Sequence, residues 1–113
     1  MKFHISFLLL VFIMTSSSTC IAGSHWYENG TLHKASVAEW NKATYENKLA
    51  TAADWLLTTP QAKAKIQIDG SIDILKPYAV KLVECINDAT SDKGYGKMSV
   101  VEWASSCLML IRW

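Results

Sequence analysis

The sequence predicts a small single-domain all-α protein: a bundle of about four helices with one disulfide joining the last two. Three observations lead there. Apolar residues recur three and four apart in several segments, the spacing of helices with one buried face. Helix start signals separate those segments, among them two near-identical pentapeptides, SVAEW at Ser36–Trp40 and SVVEW at Ser99–Trp103. Two cysteines, Cys85 and Cys107, lie equidistant from Gly96, where an antiparallel helical hairpin brings residues level with one another.

The first 22 residues read as a secretory signal peptide rather than as part of the domain. Met1-Lys2-Phe3-His4 is short and basic, Ile5–Met14 is apolar throughout, and Thr15–Thr19 is small and polar. The apolar run is too short for a membrane-crossing helix, which needs about 20 residues. Cys20-Ile21-Ala22 before Gly23 fits the small-residue rule for cleavage and makes Gly23 the expected new N-terminus. Lipidation at Cys20 fits less well, because Ser17 and Thr19 stand where a Leu-like and a small residue are needed. Residues 23–113 then form one small helical domain, with an irregular N-terminal arm over residues 23–35 and no stable membrane span.

Each element of that domain has a sequence reason. Asn29-Gly30 in the arm is a turn signal, because both residues tolerate positive φ. Ser36 opens the first helix, along which Tyr45, Leu49, Ala52, Ala53 and Leu56 share one face, with Trp40 and Trp55 at its edge. Thr59-Pro60 starts a new element, since proline suits the first turn of a helix and threonine its cap. Gln61–Ile68 reads as helix or as a short extended piece, and Asp69-Gly70 ends it. Leu75, Tyr78, Ala79, Leu82, Cys85, Ile86 and Ala89 form the clearest stripe, with Val83 on its edge, Asp73 as expected cap and Pro77 in the first turn. Ala89–Lys97 is a loop broken by Gly94 and Gly96. The last helix, from Ser99 to about Arg112, is expected to bury Val100, Trp103, Ala104, Cys107, Leu108 and Ile111. Met109 and Leu110 widen that band and leave little of the helix to be wet.

Loss of Cys20 with the signal leaves Cys85 and Cys107, and two cysteines in an exported chain read first as a disulfide. Closing their loop should contribute about 3 kcal/mol on the chain-entropy account. The pentapeptides read as two capping boxes. Ser36 and Ser99 each cap an amide three residues on, and Glu39 and Glu102 each reach back to the serine amide. Trp103 is expected to pack on Met98, and Trp40 less closely on Ala35. On that reading Ser36→Ala and Ser99→Ala each cost about 1 kcal/mol. Similarity stops at the pentapeptides, since NKATYENKL does not match ASSCLMLIR, so a duplicated domain is not supported.

Composition excludes several functions. Without Lys2 the chain carries ten Lys and Arg against ten Asp and Glu, and no basic stripe, so nucleic acid is not an expected partner. His25 and His33 stand eight apart without further ligands at metal spacing, and no cofactor or metal is expected. Neither a nucleophile elbow nor a phosphate-binding glycine loop is present, and both cysteines lie on apolar faces where a thiol is inert. Asn29-Gly30-Thr31 matches a glycosylation sequon. The aromatics carry more weight. Trp26 and Tyr27 in the arm and Trp113 at the end lie off the helical stripes and are the candidate partner-binding residues, because tryptophan and tyrosine dominate interface hot spots.

In size and class the chain is similar to small periplasmic chaperones of the acid-stress type, which are exported, helical and closed by one disulfide. That family pairs an early cysteine with a late one, whereas Cys85 and Cys107 both lie in the C-terminal half, so no residue roles carry over. The expectation is an exported, periplasmic or secreted, non-enzymatic protein that binds a protein partner, as an inhibitor, an envelope accessory subunit or an effector. An acid-activated periplasmic chaperone is the alternative, and a small enzyme a third reading.

Overall fold

The computed structural model describes residues 25–113. The expected signal peptide and its cleavage site lie outside the described residues. Five α-helices follow the arm: α1 (Val37–Lys42), α2 (Tyr45–Leu56), α3 (Pro60–Asp69), α4 (Lys76–Ala89) and α5 (Val100–Leu110). Two 3₁₀ turns, Ile72–Leu75 and Lys93–Tyr95, precede α4 and α5. The all-α class and the disulfide between the last two helices are as expected. No helix among the described residues is long and apolar enough to cross a membrane.

The expected first helix is two helices. Ala43 is extended (φ −77°, ψ 160°), and the Thr44 hydroxyl accepts the Asn47 amide at 3.2 Å, so a new helix begins at Tyr45. A threonine side chain here competes with helix continuation and wins. The break reverses two burial expectations. Tyr45 is about half exposed at 49 %, whereas Trp40 is wholly buried. The Trp40 ring stacks on Trp55 with centroids 5.8 Å apart, and its Nε1 donates to Asn87 Oδ1 at 2.8 Å.

Gln61–Ile68 is helical within α3. The Thr59 hydroxyl accepts the Ala62 amide at 3.2 Å, Pro60 occupies the first turn, and Gly70 closes the helix in the left-handed region at φ 84°. The expected Asp73 cap of α4 is not made: α4 follows Leu75 without a side-chain cap, and Ser71 caps the preceding 3₁₀ turn, its hydroxyl accepting the Asp73 amide at 3.1 Å. Asp73 has another role, described below. Helix α4 buries Ala79, Leu82, Val83 and Ile86, with α2 and α5 packed against it. Cys85 and Cys107 are bonded with their Cα atoms 5.9 Å apart, and Tyr78 of α4 stacks on Trp113 at 5.0 Å, so α4 and α5 run antiparallel.

The two pentapeptides meet in space. Ser36 and Ser99 form an isolated antiparallel bridge, the strand-like pairing found among the described residues. The Val37 amide donates to the Met98 carbonyl at 2.8 Å, Ala38 to Gly96 at 3.0 Å and Val100 to Ala35 at 3.0 Å. Each helix start thus uses the other's preceding backbone to satisfy amides that a helix leaves without internal partners. Ser36 also forms the full reciprocal box: its hydroxyl accepts the Glu39 amide at 3.1 Å, and its amide donates to Glu39 Oε1 at 2.9 Å. At α5 the expected box of Ser99 and Glu102 is absent. There the Glu102 amide turns to the Ser99 carbonyl at 3.2 Å, which takes the donor the hydroxyl needs. Trp103 packs on Tyr95 at 4.8 Å, while Met98 is exposed.

The last helix departs from expectation on its outside. Met109 and Leu110 are 86 % and 72 % exposed, so they do not widen the buried band. Helix α5 ends at Leu110, and its buried residues are Val100, Ala104 and Cys107.

Candidate functional site

Side chains of α2 and of the turn before α4 hold the irregular arm in place. Asn29 takes the left-handed conformation, φ 68°, which asparagine tolerates better than most residues. The turn delivers Gly30 against the backbone of α2. A Cβ on Gly30 would lie 2.5 Å from the Thr51 nitrogen and 2.8 Å from the Ala50 carbonyl carbon, so only glycine fits.

Three successive arm residues then bond down one face of α2. The Thr31 amide donates to Asn47 Oδ1 at 2.9 Å, and Asn47 Nδ2 donates to the Thr31 hydroxyl at 2.8 Å. The Leu32 amide donates to the Thr51 hydroxyl at 3.2 Å, and the Leu32 side chain is buried. His33 Nε2 donates to Asp54 Oδ2 over 2.7 Å, since an ionised carboxylate only accepts. His33 also meets the Trp55 ring edge-on, centroids 6.1 Å apart. Asn47, Thr51 and Asp54 stand at i, i+4 and i+7, a polar stripe on a helix that is otherwise apolar where it is buried. That stripe is legible in the sequence as an unexplained polar line, and it is the signal for the docked arm that reading for apolar faces alone misses.

At the arm's beginning, Trp26 Nε1 donates to Asp73 Oδ1 at 2.8 Å, tying the arm to the turn before α4. Tyr27 meets Trp26 edge-on at 5.5 Å, and His25 stacks on Tyr27 at 5.1 Å. Trp26 and Tyr27 are both half-buried. Between this tip and the start of α2 lies an open depression of about 500 Å³, bordered by Trp26, Glu28, Asn29, Glu46 and Asn47 among others. Glu28 and Glu46 are exposed, His25 also lines the depression with its Nε2 3.8 Å from Glu28 Oε1, and among the described residues no Lys or Arg borders it.

The third aromatic candidate, Trp113, is held by a different contact. It is half-buried, stacked on Tyr78, whose ring also carries the Lys65 ammonium 5.3 Å from its centroid. Trp26 and Tyr27 are thus in contact with each other, and Trp113 is in contact with Tyr78 near the start of α4. Among the described residues no group of three or more His, Cys, Asp and Glu could hold a metal ion. Two groups have shifted acidity. The Ser36 backbone amide, and after it the Ser36 hydroxyl, hold Glu39 below the usual carboxylate value. Burial pushes the Lys48 ammonium below the usual lysine range, while its Nζ donates to Asn87 Oδ1 at 3.3 Å and lies 5.6 Å from the Trp40 ring centroid. Neither lies on the depression.

Comparison with protein families, curated proteins and solved structures gives no match to this chain.

Proposed function

We propose that this is a small exported protein that binds a protein partner through the tip of its arm, without catalysing a reaction. One observation carries the reading: the arm is pinned to α2 from Gly30 to His33, while His25, Trp26, Glu28 and Asn29 ahead of it border an open depression with Glu28 and Glu46 exposed at its rim, and Tyr27 packs against His25 and Trp26. A loop held rigidly by a scaffold loses little freedom on binding, which is how such loops gain affinity. Aromatic side chains beside exposed charge supply the usual anchors of an interface. Glu28 and Glu46 select a partner that presents lysine or arginine. Export rests on the signal-peptide layout of residues 1–22, and the disulfide is consistent with an oxidising compartment.

Affinity capture from the exported fraction of the native host tests the reading. The wild-type chain should retain a discrete partner that Glu46→Lys and Tyr27→Ala release, with helical circular dichroism unchanged. Equal capture by wild type and both variants rules the arm out as the binding surface.

A further inference from the structure

The turn that carries the arm onto α2 contains one peptide unit that no hydrogen bond holds. On one side the Glu28 amide donates to the His25 carbonyl at 3.0 Å, and on the other the Thr31 amide donates to Asn47 Oδ1 at 2.9 Å. Between them, among the described residues, neither the Asn29 carbonyl nor the Gly30 amide enters a hydrogen bond. Asn29 is exposed at φ 68°, and Gly30 is seated against the α2 backbone. An asparagine followed by glycine is the least hindered setting for attack of the next backbone nitrogen on the side-chain amide carbon, because glycine has no Cβ. Ring closure requires the Gly30 nitrogen to swing round to Asn29 Cγ. A flip of the free peptide plane does this, since it turns ψ of Asn29 and φ of Gly30 in opposite senses and leaves both Cα atoms nearly in place. Glycine accepts φ of either sign, so Gly30 keeps its seat on Ala50 and Thr51 during the flip.

We propose that Asn29 is a self-modifying site: in the folded, docked arm the Gly30 nitrogen displaces ammonia from the Asn29 side chain, and hydrolysis of the ring so formed leaves a new carboxylate. In the first step a bond forms between the Gly30 nitrogen and Asn29 Cγ, the Cγ–Nδ2 bond breaks, and Nδ2 leaves as ammonia with the proton that the Gly30 nitrogen gives up. Water then opens the cyclic imide. Opening at Cγ leaves aspartate, and opening at the main-chain carbonyl carbon leaves isoaspartate. No reactant besides water is needed. The other described asparagines are not placed for this: Asn41, Asn47 and Asn87 lie within α1, α2 and α4 and precede Lys42, Lys48 and Asp88. The Lys48 amide, for one, is committed to the Thr44 carbonyl at 3.0 Å. The two products act differently on the arm. Aspartate adds a negative charge to the depression that Glu28 and Glu46 already line. Isoaspartate also lengthens the main chain by one methylene directly ahead of the glycine that must fit against Ala50 and Thr51, and so shifts the arm from its seat. The inference rests on the docked arm and not on any partner.

Peptide mapping by mass spectrometry of the folded protein from its native host, before and after incubation in mildly alkaline buffer, tests it. The expected result is progressive conversion of Asn29 to both acids, the isoaspartate identified by isoaspartyl methyltransferase labelling, while Asn41, Asn47 and Asn87 stay amides. Asn29→Gly, which suits the left-handed turn and carries no side-chain amide, should show no conversion in the arm. Hydrogen exchange of the separated products should show the Thr31 and Leu32 amides protected in the aspartate form and their protection lost in the isoaspartate form. Conversion of Asn29 only after unfolding in urea overturns the inference, because the docked arm would then block the ring. So does an Asn29 that stays an amide throughout, conversion at the helical asparagines at the same rate, or a glycan found on Asn29. Equal protection of the two products overturns the effect drawn for the arm.

Discussion

Gly30 is the position where the backbone leaves least choice. A methyl group there meets main-chain atoms of Ala50 and Thr51, which cannot swing aside as a side chain can. Gly30→Ala should destabilise the protein by about 1–3 kcal/mol, as overpacking does, measured by urea denaturation, and should loosen the arm before the helices. The two serines of the pentapeptides, alike in sequence, are separated by their contacts. Ser36→Ala removes a bonded cap and should cost about 1 kcal/mol, while Ser99→Ala removes no cap bond and should leave stability nearly unchanged. Equal losses in thermal denaturation would contradict the assignment. Glu39 gives a pH signature. Its folded-state value is depressed below the ordinary 4.5, so its box stabilises the native state above that pH and weakens as pH falls through the lower folded value. The Glu39 carboxyl should titrate below 4.5 by NMR, and Glu39→Gln should remove its share of the acid sensitivity.

Among the elements, those marked by strong local chemistry are legible in the sequence. Thr59-Pro60 and Gly70 bound α3, the apolar stripe marks α4, and Cys85 and Cys107 fall level because the α4–α5 hairpin is nearly symmetric about its loop. The break at Ala43-Thr44 is not legible, because neither residue is a strong helix breaker and the gain from it is tertiary: it turns Trp40 inward onto Trp55 and Asn87. Thr44→Ala should cost about 1 kcal/mol as a lost cap, read by chemical denaturation. The meeting of the two pentapeptides is likewise invisible to spacing, since a backbone bridge between Ser36 and Ser99 depends on where the arm and the α5 loop arrive. Met109 and Leu110 show the converse limit: hydropathy gives them a core role, and only packing shows that nothing within the described residues covers them. Of the candidate site, Trp26 and Tyr27 are legible from their place off the stripes. The lock that holds them shows in the sequence only as the polar line of Asn47, Thr51 and Asp54, whose partners are not legible because they come from a segment without regular structure.

For the molecule as a whole, the bridge between Cys85 and Cys107 closes the α4–α5 hairpin on which α2 packs. Replacing both cysteines by serine should cost about 3 kcal/mol, visible as a lowered midpoint in urea. The arm, by contrast, is held to the bundle by side-chain hydrogen bonds, one close glycine contact and the buried Leu32. Its rigidity is the premise of the proposed function, and native-state hydrogen exchange at the Thr31 and Leu32 amides measures it most directly. Protection of both amides in the wild-type chain is the expected result, lost in Asn47→Ala while the amides of α4 stay protected. Exchange of Thr31 and Leu32 as fast as in an unfolded chain would contradict a docked arm.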